Sequence, residues 1–121
     1  MAGLTLGTAF VSNGYKYKDK ATWVRRFSGA GEDATTIAAA QTGKKLMVVG
    51  GRVSSSAAGS IAIKSGTNVI QTIEFVAAGT ATFPGVDDPL ECTVSELLAL
   101  DPATGAGTCT GEIKWVVIDV S

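Results

Sequence analysis

The densest chemistry in the chain lies in one stretch, NGYKYKDKATWVRRF, from Asn13 to Phe27. It holds five basic residues, one acid and four of the chain's eight aromatics. Cations interleaved with aromatics suit three tasks: gripping single-stranded nucleic acid, docking on an acidic partner, or packing as a half-buried hairpin. Extended backbone sends alternate side chains to opposite faces. Tyr15, Tyr17 and Asp19 then share one face, and Lys16, Lys18 and Lys20 the other. Further along, Trp23, Arg25 and Phe27 alternate against Val24 and Arg26. A nucleic-acid grip needs stacking and phosphate contacts on one accessible face. Here tyrosines and lysines separate, so nucleic acid is not an expected partner. The two other readings remain: a hairpin on its own domain, and a docking arm built from Tyr15, Lys16, Tyr17, Lys18, Trp23, Arg25, Arg26 and Phe27.

Other chemistry is sparse. The chain has no histidine, which removes the commonest general base and metal ligand. Ser-His-Asp and Cys-His arrangements therefore cannot form, and two thiols alone cannot make a zinc site. Asp87, Asp88, Glu91 and Glu96 cluster near two prolines, as solvated loop acids do, without the Asp-x-Asp-x-Asp-Gly pattern of a calcium loop. The GAG and GG segments are turn glycines rather than a phosphate loop. No catalytic residue, metal or cofactor is expected, and the chain reads as a non-enzyme. Two cysteines, Cys92 and Cys109, are too few for a disulfide framework and read as reduced core residues.

Composition bounds the class. The 121 residues suit one domain, with 45% hydrophobic and only 17% charged residues. Ala, Gly, Ser and Thr replace the missing charge, as in an assembly surface or an unremarkable β scaffold. Net charge is −1, but residues 1–64 carry +6 and residues 65–121 carry −7. The asymmetry suits either strands paired within one fold or opposite-signed surfaces of different subunits. The N-terminus lacks a charged segment followed by a long apolar core, and the longest apolar run is far too short to span a bilayer. A cytosolic origin without membrane partners is the expectation.

The elements that would position these residues are strands. Apolar alternation marks 35–41, 44–54, 59–66, 68–77, 79–85, 88–95, 96–102 and 108–120, with turn signals at 8–12-residue spacing between them. That spacing predicts a β-sandwich or barrel rather than βαβ units. Gly50-Gly51 reads as a bulge. TVSELLALD is the one helix candidate, but LLAL fits a buried strand as well, and strand is the favoured reading. Ser12-Asn13-Gly14-Tyr15 carries a hairpin-turn signal. The polar segment SGAGEDATT separates an arm or hairpin, residues 1–33, from a sandwich domain, residues 34–121. The last strand is apolar on both faces: Ile113, Trp115 and Val117 on one, Val116, Ile118 and Val120 on the other. Such a strand is central or lies at a subunit interface. Ile113, Trp115, Val116, Val117 and Ile118 are the candidate self-association strand.

From Thr35 to Val120 the chain also resembles small bacteriophage structural proteins of the capsid decoration or cement type. The resemblance rests on AAAQTGKKLMVVGGRVSSSAAGSIAIKSGTNVI, AAGTATFPG and LLALDPATGAGTCTGEIKWVVI. It implies an all-β, jelly-roll-like antiparallel sandwich that binds the major capsid protein and bridges neighbouring capsid subunits. It further implies a homo-oligomer, a trimer before a dimer, on the outer surface of a virion assembled in the host cytoplasm. The alternatives are a tail or neck component, or a carbohydrate-binding sandwich that uses Trp23, Trp115 or the tyrosines as sugar platforms.

Overall fold

The apolar alternation and punctuating turns are realised as eleven strands, with no helix among the described residues. The computed structural model describes residues 4–17, 20–29, 34–85, 87–103 and 107–119, without the side chains of 13–17. The strands are β1 (Thr5–Leu6), β2 (Phe10–Tyr17), β3 (Lys20–Gly29), β4 (Thr35–Ala38), β5 (Lys44–Ser55), β6 (Gly59–Ser65), β7 (Asn68–Phe75), β8 (Gly79–Thr82), β9 (Leu90–Glu91), β10 (Leu98–Ala103) and β11 (Cys109–Asp119).

The larger sheet runs β1-β3-β11-β5-β8, with β2 on β3 and β9 on β5; the smaller runs β4-β10-β6-β7. All pairings are antiparallel. From β3 onward, leaving out the two-residue β9, the chain changes sheet at every step except the β6–β7 hairpin. The four strands β3, β11, β5 and β8 of the seven-stranded sheet and the four of the smaller sheet, wound in this way, are a jelly roll. The fold class implied by the sequence is therefore the one observed.

The core lies between the sheets. Ile37, Val53, Ile61, Ile63, Leu98, Leu100 and Ile113 are fully buried there, beside Phe27 and Phe83, whose rings meet edge to face with centroids 6.2 Å apart. Burying each aliphatic side chain contributes about 1.5–3 kcal/mol. β5 has a bulge where the sequence placed one, but one residue earlier. Lys114 faces Gly50 and Trp115 faces Val48, so Val49 has no partner across the ladder. The extra residue reverses the alternation. Val53 faces the core on one side of the bulge, and Leu46 and Val48 do so on the other. Met47 and Val49 turn outward, where they join Val116 and Ile118 in a second apolar cluster. This accounts for the two apolar faces of β11.

Several expectations need correction. Asn13-Gly14 is not the hairpin turn. Pairing passes from Ser12↔Thr22 to Lys16↔Ala21 and Tyr17↔Lys20, so residues 13–15 form an irregularity inside β2. The strand reading of 96–102, by contrast, holds over the helix candidate: the segment supplies β10, with Leu98 and Leu100 alternating into the core. The strand read over 88–95 shrinks to Leu90–Glu91, with a turn at Val94–Ser95. The boundary at residue 33 does not separate two units, since β3 pairs with β11 from Trp23↔Trp115 to Gly29↔Cys109. Residues 20–29 are thus part of the sandwich and not an arm beside it. The self-association strand is corrected too. β11 is hydrogen-bonded on one side to β3 and on the other to β5, and Ile113, Trp115 and Val116 are buried inside this chain. Val117 and Ile118 pack partly buried against the two clusters. The strand is apolar on both faces because it is central, and it offers no free edge to a second copy.

Candidate functional site

β3 distributes the basic aromatic stretch over two faces. Phe27 is a core residue, 2% exposed. Arg26 lies on the outer face, its guanidinium 5.6 Å from the Phe10 ring centroid and its Nε 3.6 Å from Glu112. Trp23 and Arg25 sit on the inner side and open into a cleft of about 480 Å³. Tyr15, Lys16 and Tyr17 lie in β2, but their side chains, like all of Lys18, are outside the described residues. The candidate arm is therefore divided: Phe27 is structural, Trp23 and Arg25 share the cleft, and Arg26 reaches the surface on the opposite face.

The cleft forms where β3 and β11 outrun the four-residue β4. Trp23 and Trp115 are cross-strand partners and supply two adjacent indoles to its wall. Trp115 is 4% exposed and belongs to the core, whereas Trp23 is 38% exposed. Arg25 Nη1 donates a 2.8 Å hydrogen bond to the Ile37 carbonyl, tying β3 to β4 across the edge of the sandwich. Its Nε is buried without a hydrogen-bond partner. Lys20, Gln41, Lys44 and Asp119 complete the polar wall. Lys44 Nζ donates to Asp119 Oδ1 at 2.5 Å, and Lys20 Nζ lies 3.9 Å from Oδ2. The Lys44 hydrogen bond, then the charges of Lys44 and Lys20, hold the Asp119 carboxyl below its ordinary range. It therefore stays ionised well into mild acid, and its ion pairs loosen only as pH falls through that lowered value. With three cations and one carboxylate, the lining is suited to orienting a polar ligand. Gln41, Lys44 and Asp119 were not singled out by sequence reasoning. Their proximity follows from the pairing of Asp119 with Lys44 at the far end of the β5–β11 ladder, which no local motif announces.

The acids considered from the sequence are not brought together. Glu91 pairs with Lys45, Glu96 accepts a 2.6 Å hydrogen bond from Ser65 Oγ, and Asp87 and Asp88 are exposed. No group of three acidic or thiol side chains could share a metal ion among the described residues. Cys92 lies beside Ser65 and Glu96, but burial pushes its thiol from 9.0 up to about 11, against the Ser65 hydrogen bond that lowers it. A thiol so shifted is not a nucleophile near neutrality. Both cysteines are buried thiols outside any disulfide, as the sequence led one to expect. Neither should react with a thiol reagent at neutral pH until the protein is unfolded in urea. Rapid labelling of the native protein would contradict this. Because the folded thiol holds its proton more tightly than the unfolded one, stability should be indifferent to Cys92 below about pH 9. Between that value and about 11 it should decline by up to about 1.4 kcal/mol per unit.

The fold and cleft define a jelly-roll domain with one edge-on polar and aromatic recess. No family model matches the chain, and neither does any curated protein. Among solved structures it is similar to the C-terminal CBM6 of the laminarinase LamC from Zobellia galactanivorans (TM-score 0.39, 9% identity, 93% of this chain and 90% of that one). It is also similar to a cyclase from Fischerella sp. TAU (TM-score 0.38, 9% identity, 98% and 90%) and to a cupin superfamily protein from Desulfitobacterium hafniense DCB-2 (TM-score 0.35, 14% identity, 95% and 79%). Likenesses this distant carry no argument about function. The jelly roll rests on the strand order itself.

Proposed function

We propose that this chain is a non-catalytic carbohydrate-binding module whose cleft at Trp23 takes a short saccharide. The observation that carries the reading is the half-exposed Trp23 indole, backed by Trp115 and ringed by Lys20, Arg25, Gln41 and Lys44. The C–H face of a sugar ring packs on an indole, while planar and charged side chains hydrogen-bond its hydroxyls. Division of labour between the two indoles follows from burial: Trp115 is the fixed back wall and Trp23 the platform. Calorimetric titration with neutral and acidic oligosaccharides should show binding by at least one of them. Trp23→Ala should weaken it about tenfold or more, or about 1.4 kcal/mol. Failure of the whole panel to bind, or full affinity in Trp23→Ala, would overturn the reading.

Capsid decoration takes second place, because two of the features that supported it, the apolar last strand and part of the basic aromatic arm, are built into the sheet. One observation still favours a docking role. Val11 and Trp23 face each other across β2 and β3, and both are more than a third exposed. A partner such as a major capsid protein would seat on that apolar pair. Binding to assembled shells that disappears on Val11→Ser, with saccharide binding intact, would favour this reading.

A further inference from the structure

The outer face of the larger sheet carries a pattern that the cleft does not use. Five hydroxyl residues stand in register across five strands: Thr5 faces Ser28, Ser28 faces Thr110, Thr110 faces Ser54, and Ser54 faces Thr80. The neighbouring core-facing positions Leu4, Phe27, Val53 and Cys109 are buried, which places the hydroxyl row on the outside. One pleat along, a second row runs Arg26, Glu112, Arg52, Thr82. Long charged side chains are thus confined to the second row, which ends at Thr82, while the first holds short hydroxyls alone. The result is a trough crossing the strands. It opens as a depression of about 420 Å³ over β3, β11, β5 and β8, and continues as one of about 330 Å³ over β1 and β3, with Arg26 and Thr110 lining both.

We propose that this trough is a second binding surface, for an extended anionic polysaccharide laid across the strands. Three features select that ligand. Strands spaced about 4.8 Å apart repeat the hydroxyls at close to the length of one sugar unit, and five strands span roughly 19 Å, room for a run of several units. Arg26 approaches Phe10 and, through its Nε, Glu112, while most of its side chain stays in solvent and leaves its other donors open to a ligand. Arg52 is exposed and has no ion-pair partner among the described residues, which leaves a planar fork of donors for a carboxylate or sulfate. The row of two arginines and one glutamate is net positive. Neither row presents an aromatic face on which bases could stack, and this sets the trough apart from a single-strand nucleic-acid groove. The proposal is independent of the Trp23 cleft, which lies on the opposite face of the sheet.

The test is affinity electrophoresis of the full chain through gels containing alginate, a polyuronate, or a neutral β-mannan. Alginate should retard the protein and mannan should not retard it through this face. Arg52→Ala should weaken retardation about tenfold, the scale of one lost charge-assisted contact, and added salt should do the same. Glu112→Gln should strengthen it by removing the one carboxylate of the row. Combined Ser54→Ala and Thr110→Val should weaken it with both arginines in place. Circular dichroism of each variant separates these effects from misfolding, and the opposite sign expected of Glu112→Gln cannot arise from misfolding. Absence of retardation by alginate, retardation unchanged in Arg52→Ala, or equal affinity for a single-stranded oligonucleotide would overturn the proposal.

Discussion

Gly111→Ala is expected to cost the fold about 3 kcal/mol or more, a large share of the 5–15 kcal/mol that stabilises a domain of this size. Gly111 faces Val53 on the ladder that joins β11 to β5. A Cβ at Gly111 would stand 2.1 Å from the Arg52 carbonyl oxygen and 2.9 Å from Val53 Cα. Both are backbone atoms, so no side chain can swing aside. The strands themselves must part, and they are the central pair of the larger sheet. Gly51, two positions from Val53 on β5, meets the same obstacle from the other side. A Cβ there would lie 2.3 Å from the Glu112 carbonyl oxygen, and its φ of +116° is one that other residues rarely adopt. Urea denaturation provides the measurement, with Gly79→Ala as the control. At Gly79 the nearest atom to a new Cβ is 3.9 Å away, and alanine should be tolerated within about 0.5 kcal/mol. A Gly111→Ala protein as stable as the control would mean that the two strands are not held this closely.

The fold was legible to the extent that it is written in alternation. The spacing of turns and the runs LMVV, IAI and WVVI led to strands over β5, β6 and β11, because a period of two needs only local sequence to be seen. Leu98 and Leu100 were ambiguous between one turn of helix and a strand. The pairing of β10 with both β4 and β6 decided it, and no residue within 94–102 carries that information. The Asn13-Gly14 signal misled for a similar reason. Asn-Gly favours a tight turn, but continued pairing of Lys16 and Tyr17 with β3 makes those residues an irregularity instead. The two-faced apolar strand posed a real alternative, central or intermolecular. Hydrogen bonding on both of its edges resolves this in favour of the first. The candidate site was half legible. Alternation put Trp23 and Arg25 on one face, as observed, but their cleft partners Lys44 and Asp119 are 75 residues apart and meet only through the β5–β11 register. The hydroxyl row is still less visible, since its five members come from five strands.

The two tryptophans should respond unequally to truncation, and the contrast tests how the cleft is built. Trp115→Ala should destabilise the protein by about 3–5 kcal/mol, since it removes a large side chain, 4% exposed, from a packed core that can only partly collapse. Trp23→Ala should cost much less, about 1 kcal/mol or under, because its ring is 38% exposed and forms the cleft wall rather than the core. Each residue also has its own optical report. In Trp23→Phe the remaining indole is enclosed and should emit at short wavelength; in Trp115→Phe the remaining indole faces solvent and should emit at longer wavelength. Only the second protein should change its emission when a saccharide occupies the cleft. Equal destabilisation by the two alanine variants would mean that Trp23 is a core residue. In that case the cleft has no platform, and recognition would have to rest on Arg25 and the lysines alone. The expected asymmetry instead makes the pair a division between stability and binding. Trp115 fixes the wall from within the sandwich, and its cross-strand partner is thereby left free to meet a ligand without loosening the fold that holds it.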